Sequence, residues 1–350
     1  MHRIIIPGPP GTGKTHRLMH YLDKELKKTD PEKIAYIAFS NAAVDVARER
    51  IKNDKVYIST MHSMGTQECG INTKTQLLKG DKWKSFKNFS RPCSNLSFES
   101  RINVNGYVEH VNPHMKIIEY ARNKQISLDR AAVELDMHYT VDIWLTEQIK
   151  ADLDTYKEHT GMIEYADMIS KFVEGDKCPP LHSVFLDEAQ DLSPLQWKMF
   201  FYIESKCARS FIAGDDDQTI YTFQGADPNV FINLKGEMDP QIQSRRVPRA
   251  IHRLASSIFP HMRKRLTKKW LPRDEEGEVH TNVYFDEIDF SKGQWLILTR
   301  TNKMLERLRE HLYRMNYRFE SRAQELLPNK MLSAYRVWKR LNEGAYVNKE

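Results

Sequence analysis

The chain has 350 residues, 40% hydrophobic and 29% charged, and its 53 Lys and Arg outnumber its 47 Asp and Glu to give a net charge of +6. This balance belongs to a soluble globular protein, and no apolar run nears the ~18 residues that a membrane-spanning helix needs, which excludes a membrane role. The length exceeds the about 250–300 residues at which one hydrophobic core stops growing, so two domains with room for an insertion are expected.

Ile4, Ile5 and Ile6 stand before Pro7 as too short an apolar run for a secretory leader, and residues 4–6 read as a buried strand. The stretch Gly8-Pro9-Pro10-Gly11-Thr12-Gly13-Lys14-Thr15 follows and satisfies G-x-x-x-x-G-K-S/T, with an amphipathic helix expected over 14–28. Strand, turn and helix are the context in which glycines let backbone N–H groups curl round phosphate oxygens. Lys14 then reaches the β- and γ-phosphates, Thr15 ligates Mg²⁺, and the helix N-terminus adds partial positive charge. An ordinary Gly-rich turn is the competing reading.

Strands over 33–39 and 56–60, with a helix over 41–52 between them, continue an α/β opening. From 65 to 174 the strand signal gives way to polar and helical patterns, as in an inserted segment. This segment holds Lys79, Lys82, Lys84, Lys87 and Arg91 interleaved with Trp83, Phe86 and Phe89, and a second basic cluster, Arg263-Lys264-Arg265 with Lys268-Lys269-Trp270, comes later. Each cluster reads equally as a solvated face or a nucleic-acid contact. Cys69, Cys93, Cys178 and Cys207 include no Cys-x-x-Cys pair, so neither a zinc site nor a disulfide framework is suggested, and a reducing cytoplasm fits.

Strands return over 183–186 and 210–213, each followed by acidic residues at the strand end where parallel sheets place ligands. In Val184-Phe185-Leu186-Asp187-Glu188, Asp187 is placed to hold Mg²⁺ and Glu188 to take a proton from an attacking water. Taken without the Gly-rich loop, the same residues would read as a turn or a helix cap. Beyond residue 246 come helical patterns, a strand over 295–298 and a helix over 303–313, and there is no internal repeat.

Gly214-Asp215-Asp216-Asp217-Gln218-Thr219-Ile220-Tyr221-Thr222-Phe223-Gln224-Gly225-Ala226 closely resembles the third motif of UvrD/Rep-like superfamily 1 DNA helicases, and Asp187-Glu188-Ala189-Gln190-Asp191 resembles their second. Phe39-Ser40-Asn41, Thr60-Met61-His62-Ser63, Glu164-Tyr165-Ala166-Asp167 and Gln243-Ser244-Arg245-Arg246 match further motifs in family order. The resemblance implies a RecA-like α/β P-loop domain with a parallel sheet built from 1–66 and 180–245. It also implies a mainly helical inserted subdomain over 67–179 and a partial second RecA-like domain over 246–350. Its implied activity is ATP-dependent, Mg²⁺-assisted 3′→5′ movement on single-stranded DNA and unwinding at single-strand/duplex junctions.

The site residues implied are Lys14, Asp187 and Glu188, with Gln190 and Gln218 as γ-phosphate sensors and Arg246 as an arginine finger from a facing domain. Phe39, Ser40, Asn41, Thr60, His62, Tyr221 and Phe223 would line the DNA path. Tyr221 and Phe223, two apart on an extended segment, would stack on bases at roughly 1–3 kcal/mol each. Core packing of the aromatics and a structural role for His62 are the plain alternatives.

The chain also departs from the family pattern. It begins almost on the first strand, without the segment whose glutamine recognises adenine, and Arg245 stands where a tyrosine stacks on the base, a task a guanidinium plane can share. Ala42 and Gln224 replace a lysine and an arginine, which predicts weaker DNA and phosphate contacts. Motifs V and VI are not found, so a truncated product, or a minimal relative that works with a protein partner or a separate C-terminal half, is expected. The alternative function is a nucleotide- and single-stranded-DNA-binding module with little unwinding of its own inside a larger repair or replication assembly.

Overall fold

The computed structural model describes residues 2–94, 96, 97, 100–102, 108–110, 112–284, 287–320, 337, 338 and 342. They belong to two compact units, Met1–Val279 and His280–Glu350. In the first unit, short apolar runs bounded by Gly, Pro or Asp become β1 (His2–Pro7), β2 (Ile34–Ile37) and β3 (Tyr57–Ser59). A short antiparallel pair, β4 (Ser100–Ile102) and β5 (Val108–His110), lies within the segment expected to be helical. The main sheet resumes with β6 (Ser183–Leu186), β7 (Arg209–Gly214) and β8 (Glu237–Met238). Its order is β3-β2-β6-β7-β1-β8, and every neighbouring pair is parallel, so the expected α/β class with a parallel sheet is what forms.

The central strands β2, β6 and β7 carry no polar face because both faces of the sheet are covered there. Side chains alternate across it with period two. Ile5, Ala35, Ile37, Val184, Leu186 and Ile212 pack on one face with the helices Met61–Glu68, Tyr165–Glu174 and Pro194–Lys206. Ile4, Ile6, Tyr36, Phe185 and Phe211 pack on the other with the helices Lys14–Leu26 and Asn41–Ile51. Leu18 and Leu22, one turn apart, both point at this second face. Each contributes roughly 1.5–3 kcal/mol by burial.

The inserted helices have cores of their own. Trp83 and Phe86, on the helix Lys82–Phe89, are buried against Met115, Ile118, Leu153 and Tyr156. The Lys82 ammonium donates to the carbonyls of Lys74, Thr75 and Leu77 at 2.8, 2.7 and 3.1 Å. Trp83, Phe86 and Lys82 of the first basic-aromatic cluster therefore serve packing and helix termination. An interleaving at helical spacing buries its aromatics inward whatever its lysines do outside.

The first unit runs past residue 246 because the segment after β8 is laced back onto it. The Leu271 N–H donates to the Ile242 carbonyl (2.9 Å), and the Ser244 N–H donates to the Leu271 carbonyl (2.8 Å). In the second unit the helix Asn302–Arg314 forms, capped by the Thr301 hydroxyl, close to the expected 303–313. The expected strand over 295–298 does not form. A strand needs a backbone partner, and among the described residues of this unit there is no strand to supply one; Leu296 and Leu298 stand 85% and 82% exposed. No helix among the described residues is long and apolar enough to cross a membrane.

Candidate active site

β1 ends in the phosphate-loop sequence, and the backbone there needs its glycines. Gly11 and Gly13 have φ of 73° and 87°, a left-handed conformation that costs a side chain but not glycine. A Cβ on Gly11 would come within 2.7 Å of the Arg246 Cβ and the Ser244 Oγ, so the loop is also closely covered. Gly13 caps the helix Lys14–Leu26 without a side-chain hydrogen bond, which leaves its first-turn N–H groups for an anion. Lys14 is buried.

The two halves of the expected nucleotide site meet. The Thr15 hydroxyl donates to the Asp187 carboxylate at 2.9 Å, across the C-terminal edge of the sheet. Asp187 also accepts from the Tyr36 hydroxyl (2.9 Å) and the Glu188 N–H (3.0 Å). These donors are neutral. Burial first, and then the adjacent Glu188 charge, raise the Asp187 carboxyl above the usual range. Glu188 sits at φ 53°, a left-handed conformation that is uncommon for a residue with a side chain and is concentrated at functional sites.

The Gln190 side chain bridges the ends of β6 and β7. Its amide nitrogen donates to Glu188 (2.9 Å) and Asp191 (3.2 Å), and its oxygen accepts from the Asp215 N–H (2.9 Å). Gln218 donates to Asp215 at 2.5 Å. Both glutamines are thus connected through Asp215. Asp191 is raised to about 7 by burial and then by Glu188.

Arg245 and Arg246 reach the loop from the same compact unit. The Arg245 N–H donates to the Gly11 carbonyl at 2.9 Å, and the Ser244 hydroxyl donates to the Pro10 carbonyl at 2.9 Å, while both guanidinium side chains lie exposed.

A separate cavity of about 240 Å³ opens between the sheet and the inserted helices, lined by Phe39, His62, Tyr165, Asp191, Tyr221 and Phe223 among others. Phe39 and Tyr221 have ring centroids 4.9 Å apart, Tyr221 and Phe223 6.2 Å, and His62 meets Tyr165 edge-on at 5.8 Å. The expected extended segment under Tyr221 and Phe223 is instead a tight turn, Thr222–Gln224, closed by Gly225 at φ 98°. Glycine suits that position twice over, since φ is left-handed and a Cβ would sit 3.0 Å from Asn123 on the inserted helix Pro113–Lys124.

The Ser40 and Thr60 hydroxyls accept from the N–H groups of Ala43 (3.3 Å) and Ser63 (3.1 Å), capping the helices Asn41–Ile51 and Met61–Glu68. Each retains its O–H to donate. Asn41 opens its helix exposed. Burial lowers the His62 imidazole to about 4, so its ring is uncharged at neutral pH.

Sequence reasoning missed Tyr36, which reads as an interior strand residue until its hydroxyl is found on Asp187. It also missed Arg265 and Lys268 as internal groups. Arg265 forks onto Asp217 at 2.8 and 2.7 Å, and Lys268 touches Asp215, Asp216 and Asp217. Trp270 is buried. Three acidic residues in a row at a strand end were the available signal that a buried cation would be needed nearby.

Comparison with known proteins agrees with this geometry. The family model of the UvrD/REP helicase N-terminal domain matches residues 2–239. The ATP-dependent DNA helicase PcrA of Bacillus subtilis is 22% identical over 317 residues, covering 84% of this chain and 42% of the relative. The ATP-dependent DNA helicase Rep of Buchnera aphidicola is 23% identical over 326 residues, covering 80% and 48%. The chain thus spans less than half the length of these curated relatives. With the phosphate loop, the acidic strand end and the aromatic turn on one edge of a parallel sheet, and the family match over most of its length, the chain belongs to the UvrD/REP helicase family.

Proposed function

We propose that this chain binds ATP with Mg²⁺ and couples its hydrolysis to 3′→5′ movement along single-stranded DNA, acting at single-strand/duplex junctions. The hydrogen bond between Thr15 and Asp187 carries the reading, since it joins the phosphate loop to the acidic strand end at one point. A magnesium ion there takes oxygen donors, and a threonine hydroxyl with a carboxylate suits it. When bound, it neutralises charge on the phosphates. Lys14 and the loop N–H groups orient the phosphates, and Glu188 accepts the proton of the attacking water. Arg246, whose Cβ lies beside the loop, would stabilise charge on the phosphates, and Arg245 would stack on a base.

The aromatic cavity supports the DNA half of the proposal. Phe39, Tyr221 and Phe223 offer ring faces that accept any base, as sequence-independent movement requires. Asp191 lines this cavity and accepts from Gln190, so the two sites are one residue apart. In domain terms, 1–66 and 180–245 form the first RecA-like domain, 67–179 its inserted subdomain and 246–350 part of a second, with the stretch to residue 279 carried on the first compact unit.

The test is ATP turnover titrated with single-stranded DNA at low and moderate salt, for the chain and its Glu188→Gln variant. DNA-stimulated turnover that the variant lacks is expected. Turnover indifferent to DNA would sink the motor, and DNA binding without turnover would favour a binding module within a larger assembly.

A further inference from the structure

We propose that Lys268, assisted by Arg265, is a positioning residue that locks the Asp215–Asp217 turn to the arm bearing Arg245 and Arg246, so that the glutamines and the arginines of the nucleotide site move as one body. This inference rests on the nucleotide reading above.

The argument begins with three consecutive carboxylates at the end of β7. Their side chains are at most 4% exposed. Buried, adjacent and like-charged, they would be expelled or protonated without a cation, because desolvation and mutual repulsion both oppose the charged form. Lys268, itself 4% exposed, supplies that cation to all three, at 3.0 Å from Asp217. The Arg265 fork and the Leu266 N–H, which donates to Asp216 at 2.7 Å, satisfy further oxygens.

Each end of this cluster leads to the nucleotide site. On one side, Asp215 accepts from Gln218 and donates its N–H to Gln190, which donates to Glu188. On the other, Leu271 exchanges backbone bonds with Ile242 and Ser244, and the Gln243 side chain donates to the Pro272 carbonyl at 2.8 Å. Ser244 and Arg245 are in turn bonded to Pro10 and Gly11. The contacts close a ring: phosphate loop, arginine arm, Lys268, Asp215, Gln190, Glu188, and back through Asp187 to Thr15. Lys268 supplies the ammonium that joins its two halves. A change at the phosphates felt by Gln190 then reaches Arg246 by two routes, through the loop and through Lys268.

The experiment compares the full chain with Lys268→Met, Arg265→Met and the charge-compensated Lys268→Met/Asp216→Asn. Three quantities are read: ATP turnover at saturating single-stranded oligonucleotide, affinity for a fluorescent ATP analogue, and amide hydrogen exchange. For Lys268→Met we expect kcat to fall by at least about tenfold with analogue affinity changed less than about threefold, and faster exchange in 214–219 and 242–247 together. The double variant should recover part of the loss, as coupled partners do.

Unchanged kcat, or faster exchange confined to 262–270, would overturn the proposal. Should Lys268→Met fail to fold, Arg265→Met, with its more accessible side chain, must show the same paired exchange in milder form, and its absence would be equally fatal. A wild-type chain that binds the analogue but does not turn over would defeat the motor reading alone, since the exchange measurements still decide whether the ring is closed by Lys268.

Discussion

The nucleotide edge and the aromatic cavity lie side by side but are built in different ways. The nucleotide edge is made by backbone: left-handed glycines, an uncapped helix start and a strained Glu188 place N–H groups and two carboxylates within contiguous stretches. The cavity is made by side chains from separate places, Phe39 after β2, His62 on the helix after β3, Tyr165 on the last inserted helix, and Tyr221 and Phe223 on the turn after β7. A site made by backbone is intolerant of change at single positions, whereas one made by converging rings should lose affinity in steps.

The largest expected break in that comparison is Lys14→Ala, which should lower ATP turnover by roughly 10²–10³-fold, the scale of losing one preorganised charge donor. Filter binding of single-stranded DNA without nucleotide should be little altered, and an equal loss there would mean the two regions are not separable. Next is Gly11→Ala. Its Cβ meets Arg246 and Ser244 at 2.7 Å in a left-handed conformation, so a loss of about 2–3 kcal/mol in urea unfolding is expected together with lost nucleotide affinity. A variant as stable as wild type would show that the loop is not held as closely as described.

The carboxyl that joins the two regions makes a prediction in pH. Asp191 is raised to about 7, against about 3.9 unfolded. The folded chain therefore holds a proton there that the unfolded chain has released, and stability from this group is present at low pH and lost as pH rises from about 4 through 7. Asp191→Asn should flatten the decline in unfolding free energy between about pH 4 and 7, an effect of at most a few kcal/mol, and parallel pH curves for the two proteins would refute the assignment.

The smallest effect sharpens the cavity side. Tyr221→Ala should weaken single-stranded DNA binding by about 1–3 kcal/mol without a matching loss of ATP affinity. Fluorescence anisotropy with a labelled oligonucleotide reads it, and an undiminished affinity would return Tyr221 to plain packing against Phe39.

What the sequence determined by itself was whatever depends on neighbours along the chain. Isoleucine-rich strands, the glycine turn before Lys14 and the acidic strand end each follow from local sterics and hydrogen bonding, so Gly8 to Thr15, Asp187 and Glu188 could be named without coordinates. Only the tertiary structure decided matters that depend on distant partners. It showed that Tyr36 holds Asp187, that the segment under Tyr221 and Phe223 is a tight turn closed by a left-handed Gly225, that 295–298 finds no strand to pair with among the described residues of its unit, and that Trp83 belongs to a core. It also turned a basic run at 263–269, legible only as positive charge, into the cation for three buried aspartates some fifty residues earlier in the chain. The physical reason is that a charge's effect depends on its surroundings, and burial is set by the whole fold.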